Sequence, residues 1–164
     1  MRRSTPYLVL LVAAVAALAG VWRPGGSAGG GGHAEGMVTR VVDGDTIHVW
    51  TGGHDEAVRY IGIDTPESVK PGTPVQCFAK AASAENDQMV AGRRVRLVYD
   101  AERRDRYGRL LAYVYRGSTF VNAELVRRGY ARTLTIPPNV RYADRFAALA
   151  QAAREHGRGL WRRC

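Results

Sequence analysis

Three acids and two arginines carry the chemistry this sequence can offer. Asp45 lies in the stretch VDGDTI, spanning residues 42–47, and Asp64 and Glu67 lie in DTPES, spanning 64–68. The runs TIHVW (46–50) and AVRYIGI (57–63) read as strands, and the Gly52-Gly53 pair between them reads as a hairpin turn. With the loop centred near Gly53, position 45 falls opposite about 61–63, and Asp64 follows shortly after. Diagonal neighbours on paired strands lie ~7–8 Å apart or less, so the hairpin brings Asp45 and Asp64 together. Two carboxylates that close repel unless a positive charge stands between them. A divalent cation satisfies that condition, and so does an arginine.

The donors around Asp64 favour the cation. Pro66 holds Thr65 extended, and Glu67 comes three residues after Asp64. The set is three carboxylates with a threonine carbonyl and hydroxyl, without thiol or imidazole. Such oxygen donors suit a hard ion, calcium before magnesium, and argue against zinc. An EF-hand does not fit, because DGDTIHVWTGGH lacks its spaced ligands and its terminal glutamate. Taken singly, DGD reads as an Asx-turn and DTPE as a strand end; together, at the two ends of one hairpin, they read as one site. Asp43 belongs to the turn. Arg59 sits in mid-strand among apolar neighbours, where a guanidinium needs a partner. Arg109 closes the loop RYGR, in which Gly108 permits an unusual backbone angle. Both are placed to meet a phosphate, whose non-bridging oxygens need positive charge as a transition state builds. The competing readings are a structural ion pair for Arg59 and a solvated loop for Arg109.

The elements that position these residues follow from periodicity. Strands are expected at Met37–Val42, Thr46–Trp50, Ala57–Ile63, Arg94–Tyr99 and Leu110–Tyr115. A helix is expected over Cys77–Ala91, with Phe78, Ala82, Glu85 and Met89 on one face and Gly92 as its stop. A short helix comes next, capped by Ser118 or Thr119 and ended by Gly129 in the left-handed conformation. A last helix covers Arg141–His156 and ends at Gly157. Five strands with a helix between the third and fourth, then two more helices, give a mainly β, α+β fold: a five-stranded OB-type Greek-key barrel with three helices.

Composition bounds the rest. Lys+Arg is 24 against Asp+Glu 15, a formal charge of +9, and nearly all of the excess is arginine. Such a surface attracts nucleic acid or anionic membrane, although arginine-favouring base composition would give the same excess. Residues 1–19 read as a signal peptide: Arg2 and Arg3, the apolar run YLVLLVAAVAALA, and Ala17-Leu18-Ala19 as a cleavage pattern. An N-terminal membrane anchor is the alternative, although the run is short of the ~20 residues of a spanning helix. Residues 20–36 read as a glycine-rich flexible linker in which His33 is solvated. That leaves 37–164, about 125 residues, as one small domain. Cys77 and Cys164 are the two cysteines, and in an exported protein they read as one disulfide, worth about 4–5 kcal/mol as an upper guide. Two free thiols are the alternative.

The motifs VVDGDTIHV, VRYIGIDTPE, DRYGRLLAYVY and VNAELVRRGYA, in this order and spacing from about Val38 to Trp161, resemble the staphylococcal nuclease (thermonuclease) family. The resemblance implies a five-stranded OB barrel with three helices. It implies a calcium-dependent phosphodiesterase, acting on DNA and RNA with little sequence preference and leaving 3′-phosphate ends. Carried over by motif, Asp45, Asp64 and the Thr65 carbonyl resemble ligands of one calcium ion. Glu67 resembles the residue that positions or deprotonates the attacking water, and Arg59 and Arg109 resemble the phosphate clamps. Asp105 and Tyr107 are similar to residues that support the loop and touch the nucleotide. The family's type member has two tyrosines before a KPN turn; the corresponding stretch here, TLTIPPN, places Leu134 and Ile136 there, so nucleotide contacts on that side are expected to differ. The expectation is an exported, monomeric nuclease with no stable protein partner, touching the membrane only if its N-terminal segment stays attached. The rival from another class is a non-catalytic OB-fold module that binds nucleic acid or a protein, a reading that loss of Glu67, Arg59 or Arg109 would favour.

Overall fold

The computed structural model describes residues 32–67, 72 and 74–164. The expected signal peptide or anchor and most of the expected linker lie outside the described residues. Alternation of apolar and polar residues forms β1 (His33–Val41), β2 (Thr46–Thr51) and β3 (His54–Tyr60), joined as antiparallel neighbours. The short β4 (Gly62–Asp64) and the helix α1 (Ala79–Val90) come next, then β5 (Arg94–Val98) and β6 (Leu110–Arg116). β1 pairs with β5, β5 with β6, and β6 returns to β3 in parallel, so five strands close into a barrel without a free edge. After β6 come the two-residue β7 (Thr119–Phe120), α2 (Val121–Arg127), β8 (Arg132–Leu134), α3 (Ala143–Glu155) and the single turn α4 (Leu160–Arg163). This is the OB-type α+β barrel with three principal helices.

The barrel interior holds Val38, Ile47, Val49, Val58, Leu97 and Val114, all buried. Aromatic rings fill the space between the barrel and α3: Tyr113 meets Tyr142 edge-on at 4.7 Å, and Phe120 lies 5.7 Å from Phe146. Burial of such rings is the largest apolar contribution a small core can make.

Four expectations are corrected. First, the linker does not extend to residue 36, because β1 begins at His33 and pairs through Gly36 with β5. Gly36 passes so close to β2 that a Cβ would sit 2.5 Å from the Trp50 carbonyl oxygen; glycine there reads as spacer in the sequence but permits strand contact. Second, the run 57–63 is not one strand. The chain turns at Gly62 (φ 81), and β4 leaves the barrel to pair with β8. A side chain at Gly62 would collide with the Phe146 ring. Third, neither Ser118 nor Thr119 caps α2; they are spent in the β6–β7 turn, and Phe120 occupies the N-cap position without a side-chain bond. Fourth, α1 starts at Ala79, after Phe78 in the left-handed region (φ 71). The stops are as expected, with Gly92, Gly129 and Gly157 at φ 62, 77 and 55.

Candidate active site

The hairpin register places Thr46 opposite Arg59 and Thr51 opposite His54, around Gly52 and Gly53 at positive φ. Asp45 therefore faces Tyr60, one to three residues short of the expected partners, and its carbonyl accepts the Tyr60 amide at 2.9 Å. The Gly62 turn then swings Asp64 back toward it. Arg59 stands between the two acids: one guanidinium nitrogen meets Asp45 Oδ1, and the other meets Asp64 Oδ1 at 2.9 Å. Asp45 is buried and also accepts from Thr65, at 2.7 Å from the amide and 3.0 Å from Oγ1. The hairpin and the DTPE turn are thus tied together through one carboxylate.

Asp43 is the turn acid. Its Oδ1 accepts the Asp45 amide at 3.0 Å, and its carbonyl accepts Asn86 Nδ2 at 2.8 Å. Burial, and then the charge of Asp45, push the Asp43 carboxyl up to about 6. Burial also raises Asp64 above the usual carboxylate range, against the pull of Arg59. Three acids, Asp43, Asp45 and Asp64, thus share this corner with the single guanidinium of Arg59, an excess of carboxylates. That excess, with donors that are all oxygen, fits a hard divalent cation held by Asp45, Asp64 and the Thr65 carbonyl. Among the described residues, no three acidic, histidine or cysteine side chains converge closely enough to chelate an ion by themselves. Water and substrate oxygens would have to complete any coordination.

Arg109 lies on the same side. β6 runs parallel to β3 with Leu111 beside Arg59, so the residue preceding β6 emerges next to that arginine. Asp105 organises its loop: the carboxylate accepts the Tyr107 and Arg109 amides at 3.0 Å each and Arg109 Nε at 2.8 Å. Gly108, at φ 80, closes the turn. Tyr107 is 68% exposed, and its ring lies 5.5 Å from the Arg109 guanidinium. Arg59, Arg109, Asp105 and Tyr107 line one cavity of about 470 Å³. Leu134 and Ile136 line the same cavity as Arg59 and Arg109, so this stretch does reach the cleft, and it is apolar there. Glu67, half-buried, comes directly after Pro66, three residues beyond Asp64, and its amide donates to Gln76 Oε1 at 3.0 Å.

Residues 57–163 match the family model described as staphylococcal nuclease homologue. The thermonuclease of Staphylococcus intermedius is 46% identical over 127 residues, covering 77% of this chain and 76% of the relative. The thermonuclease of Staphylococcus hyicus is 37% identical across 98% of this chain and 99% of its own length. Endonuclease YncB of Bacillus subtilis is 40% identical over 74% of this chain and 59% of the relative.

The chain belongs to the staphylococcal nuclease family. Within the family frame, several supporting residues escape a reading by motif. Asn86 sits fully buried on α1, taking the Tyr60 hydroxyl and holding the Asp43 turn. Asn122 bridges the Val114 amide and the Ile61 carbonyl where β4 leaves the barrel. Asn139 fixes the loop after β8 to both backbone groups of Glu102. Arg132 faces Asp64 across β4 and β8. A polar residue on an apolar helix face is the one available signal. It pointed to Glu85, which instead pairs with Arg128 at 2.7 Å, while its neighbour Asn86 enters the core.

Proposed function

We propose that the protein is a calcium-dependent nuclease that hydrolyses phosphodiester bonds of DNA and RNA with little sequence preference, leaving 3′-phosphate ends, and that it acts outside the cytoplasm. The observation that carries this reading is that Arg59, which lines a cleft together with Arg109, is paired with both Asp45 and Asp64, in a chain of this family. The Cys77–Cys164 disulfide supports an oxidising location.

The residues divide the work. Arg59 and Arg109 bind the non-bridging oxygens of the scissile phosphate, and Asp105 orients the Arg109 fork. Glu67 orients a water for in-line attack and takes its proton as the bond to phosphorus forms. The P–O5′ bond breaks, the 5′ oxygen leaves taking a proton from solvent water, and phosphate stays on the 3′ side. Asp45, Asp64 and the Thr65 carbonyl would hold a calcium ion, which when bound would supply Lewis-acid polarisation of the phosphate. Arg59 offsets the acids while no substrate is bound, and phosphate competes with them for its guanidinium. Asp105 and Tyr107 shape the nucleotide side of the cleft, whereas Leu134 and Ile136 offer no ring to stack on a base.

A plasmid-nicking assay tests the reading. Cleavage with calcium, abolished by chelator and reduced about 10²-fold or more by Glu67→Ala, is expected. Intact plasmid and RNA in the presence of calcium would refute it in favour of a non-catalytic binding module. Cleavage indifferent to chelator would refute the metal assignment.

A further inference from the structure

We propose that Gln76 is a positioning residue for Glu67 and that the Cys77–Cys164 disulfide holds Gln76 in place, so that turnover depends on the oxidation state of that bond. The inference rests on the nuclease reading and on the part Glu67 takes in it.

Glu67 is bracketed from both sides. Upstream, Thr65 is fastened to Asp45 by two hydrogen bonds, and Pro66 is buried. Downstream, one residue grips both backbone groups of Glu67. Its amide donates to Gln76 Oε1 at 3.0 Å, and its carbonyl accepts the Gln76 amide at 3.0 Å. This reciprocal pair sets the direction in which the Glu67 side chain leaves the backbone.

Gln76 is itself exposed; its carbonyl accepts the Ala79 amide at 3.1 Å, and the two residues between them are Cys77 and Phe78. Cys77 is bonded to Cys164, 87 residues away, and Phe78 is held in the left-handed region at φ 71, the sole non-glycine residue at positive φ among those described. That conformation is strained for a side chain with a Cβ and persists only where neighbours enforce it. The neighbours are the Tyr130 ring, 5.2 Å from the Phe78 ring, and the disulfide. Cys164 in turn is anchored. Its amide donates to the Leu160 carbonyl at 3.0 Å, and the Leu160 amide donates to Gly129 at the end of α2 at 2.9 Å. Gly129 and Gly159 pack backbone to backbone, too close for a Cβ on either. A continuous path therefore runs from the core through α2, α4 and the disulfide to Gln76 and Glu67.

Both cysteines are exposed, so a small dithiol can reach the bond. Its two thiols deliver two electrons and two protons, the Cys77–Cys164 bond opens to two thiols, and the reductant leaves as its own disulfide. With that tether gone, the strain at Phe78 favours relaxation, and Gln76 moves with its neighbour.

The test compares oxidised protein, dithiol-reduced protein, Cys77→Ser/Cys164→Ser, Gln76→Ala and Gln76→Glu. It measures kcat and KM on an oligonucleotide at saturating calcium, and hydrogen exchange at the Glu67 amide. The reduced protein, the serine variant and Gln76→Ala are expected to lose about tenfold in kcat with KM within about twofold. The Glu67 amide should exchange faster in all three, and Gln76→Glu, which keeps an acceptor oxygen, should recover most of the loss. Unchanged kcat and unchanged Glu67 protection after reduction would overturn the proposal. So would a loss of protection spread over the whole chain, which would mark a general structural role. Gln76→Ala keeps the disulfide and decides the matter should the serine variant not fold. If oxidised protein with calcium cleaves nothing, the nuclease reading fails, and Glu67 amide exchange on reduction still decides the positioning.

Discussion

Arg59 answers to two demands at the residue scale. With its side chain 16% exposed, it stands between Asp45 and Asp64, and it is also a proposed phosphate ligand. Arg59→Ala should lower cleavage by about 10²–10³. It should also destabilise the calcium-free protein by about 3 kcal/mol, because removing one partner leaves a buried carboxylate uncompensated. The informative readout is thermal unfolding with and without calcium. Calcium should raise the midpoint more in Arg59→Ala than in the wild type, since the ion then no longer competes with the guanidinium for the same acids. A smaller calcium shift in the variant would count against a shared position. Ile136 is 60% exposed and lines the same cleft. Ile136→Tyr should tighten binding of a nucleoside bisphosphate inhibitor by about tenfold, within the ~1–3 kcal/mol of a base–aromatic contact, as titration calorimetry would show.

At the scale of elements, the site depends on one departure from regular structure. The chain must leave the barrel between β3 and β4 for Asp64 to return to Asp45. Gly62 makes the turn, and Asn122 on α2 takes the freed Ile61 carbonyl while accepting the Val114 amide. Asn122→Ala would leave both buried groups without their partner and should cost about 2–3 kcal/mol in urea unfolding. The same variant should lower activity at temperatures where it remains folded, because Asp64 sits at the end of the short strand that the turn begins. Equal activity in folded Asn122→Ala would show that β4 is held by β8 alone.

The whole molecule acts through charge. A formal charge of +9 gathers a polyanion from a distance, so cleavage at low substrate concentration should fall steeply between about 50 and 200 mM salt, while kcat at saturation changes little. Charge also shapes stability against acid at the pair formed by Glu56 and Arg104. Glu56 is held below its ordinary value of 4.5, first by hydrogen bonds from Arg104, at 2.6 and 2.9 Å. A depressed folded-state value adds stability that is complete above the unfolded value and disappears as pH falls through the folded one. Glu56→Gln should therefore weaken the protein at neutral pH and flatten its loss of stability below the ordinary value of 4.5. Urea midpoints measured from neutral pH down into acid will show whether the two proteins converge there.

The sequence by itself determined the barrel class, the stops of the helices and the candidates for the chemically active residues. These depend on local patterns: alternation in strands, glycine at left-handed stops, and the short motifs that carry Asp45, Asp64, Arg59 and Arg109. Tertiary structure decided how those residues meet. The hairpin count missed the register by a few positions, because the turn is centred between Gly52 and Gly53 and the strand breaks at Gly62, which needs the Phe146 ring beside it to become visible. His33–Gly36 read as spacer because strand pairing with β5 is a long-range event that composition does not encode. Gln76, Asn86 and Asn122 were silent for the same reason. Asn86 and Asn122 bond to groups 26 to 61 residues away, and Gln76 bonds to a group nine residues away across a loop; such partners exist only once the chain has folded.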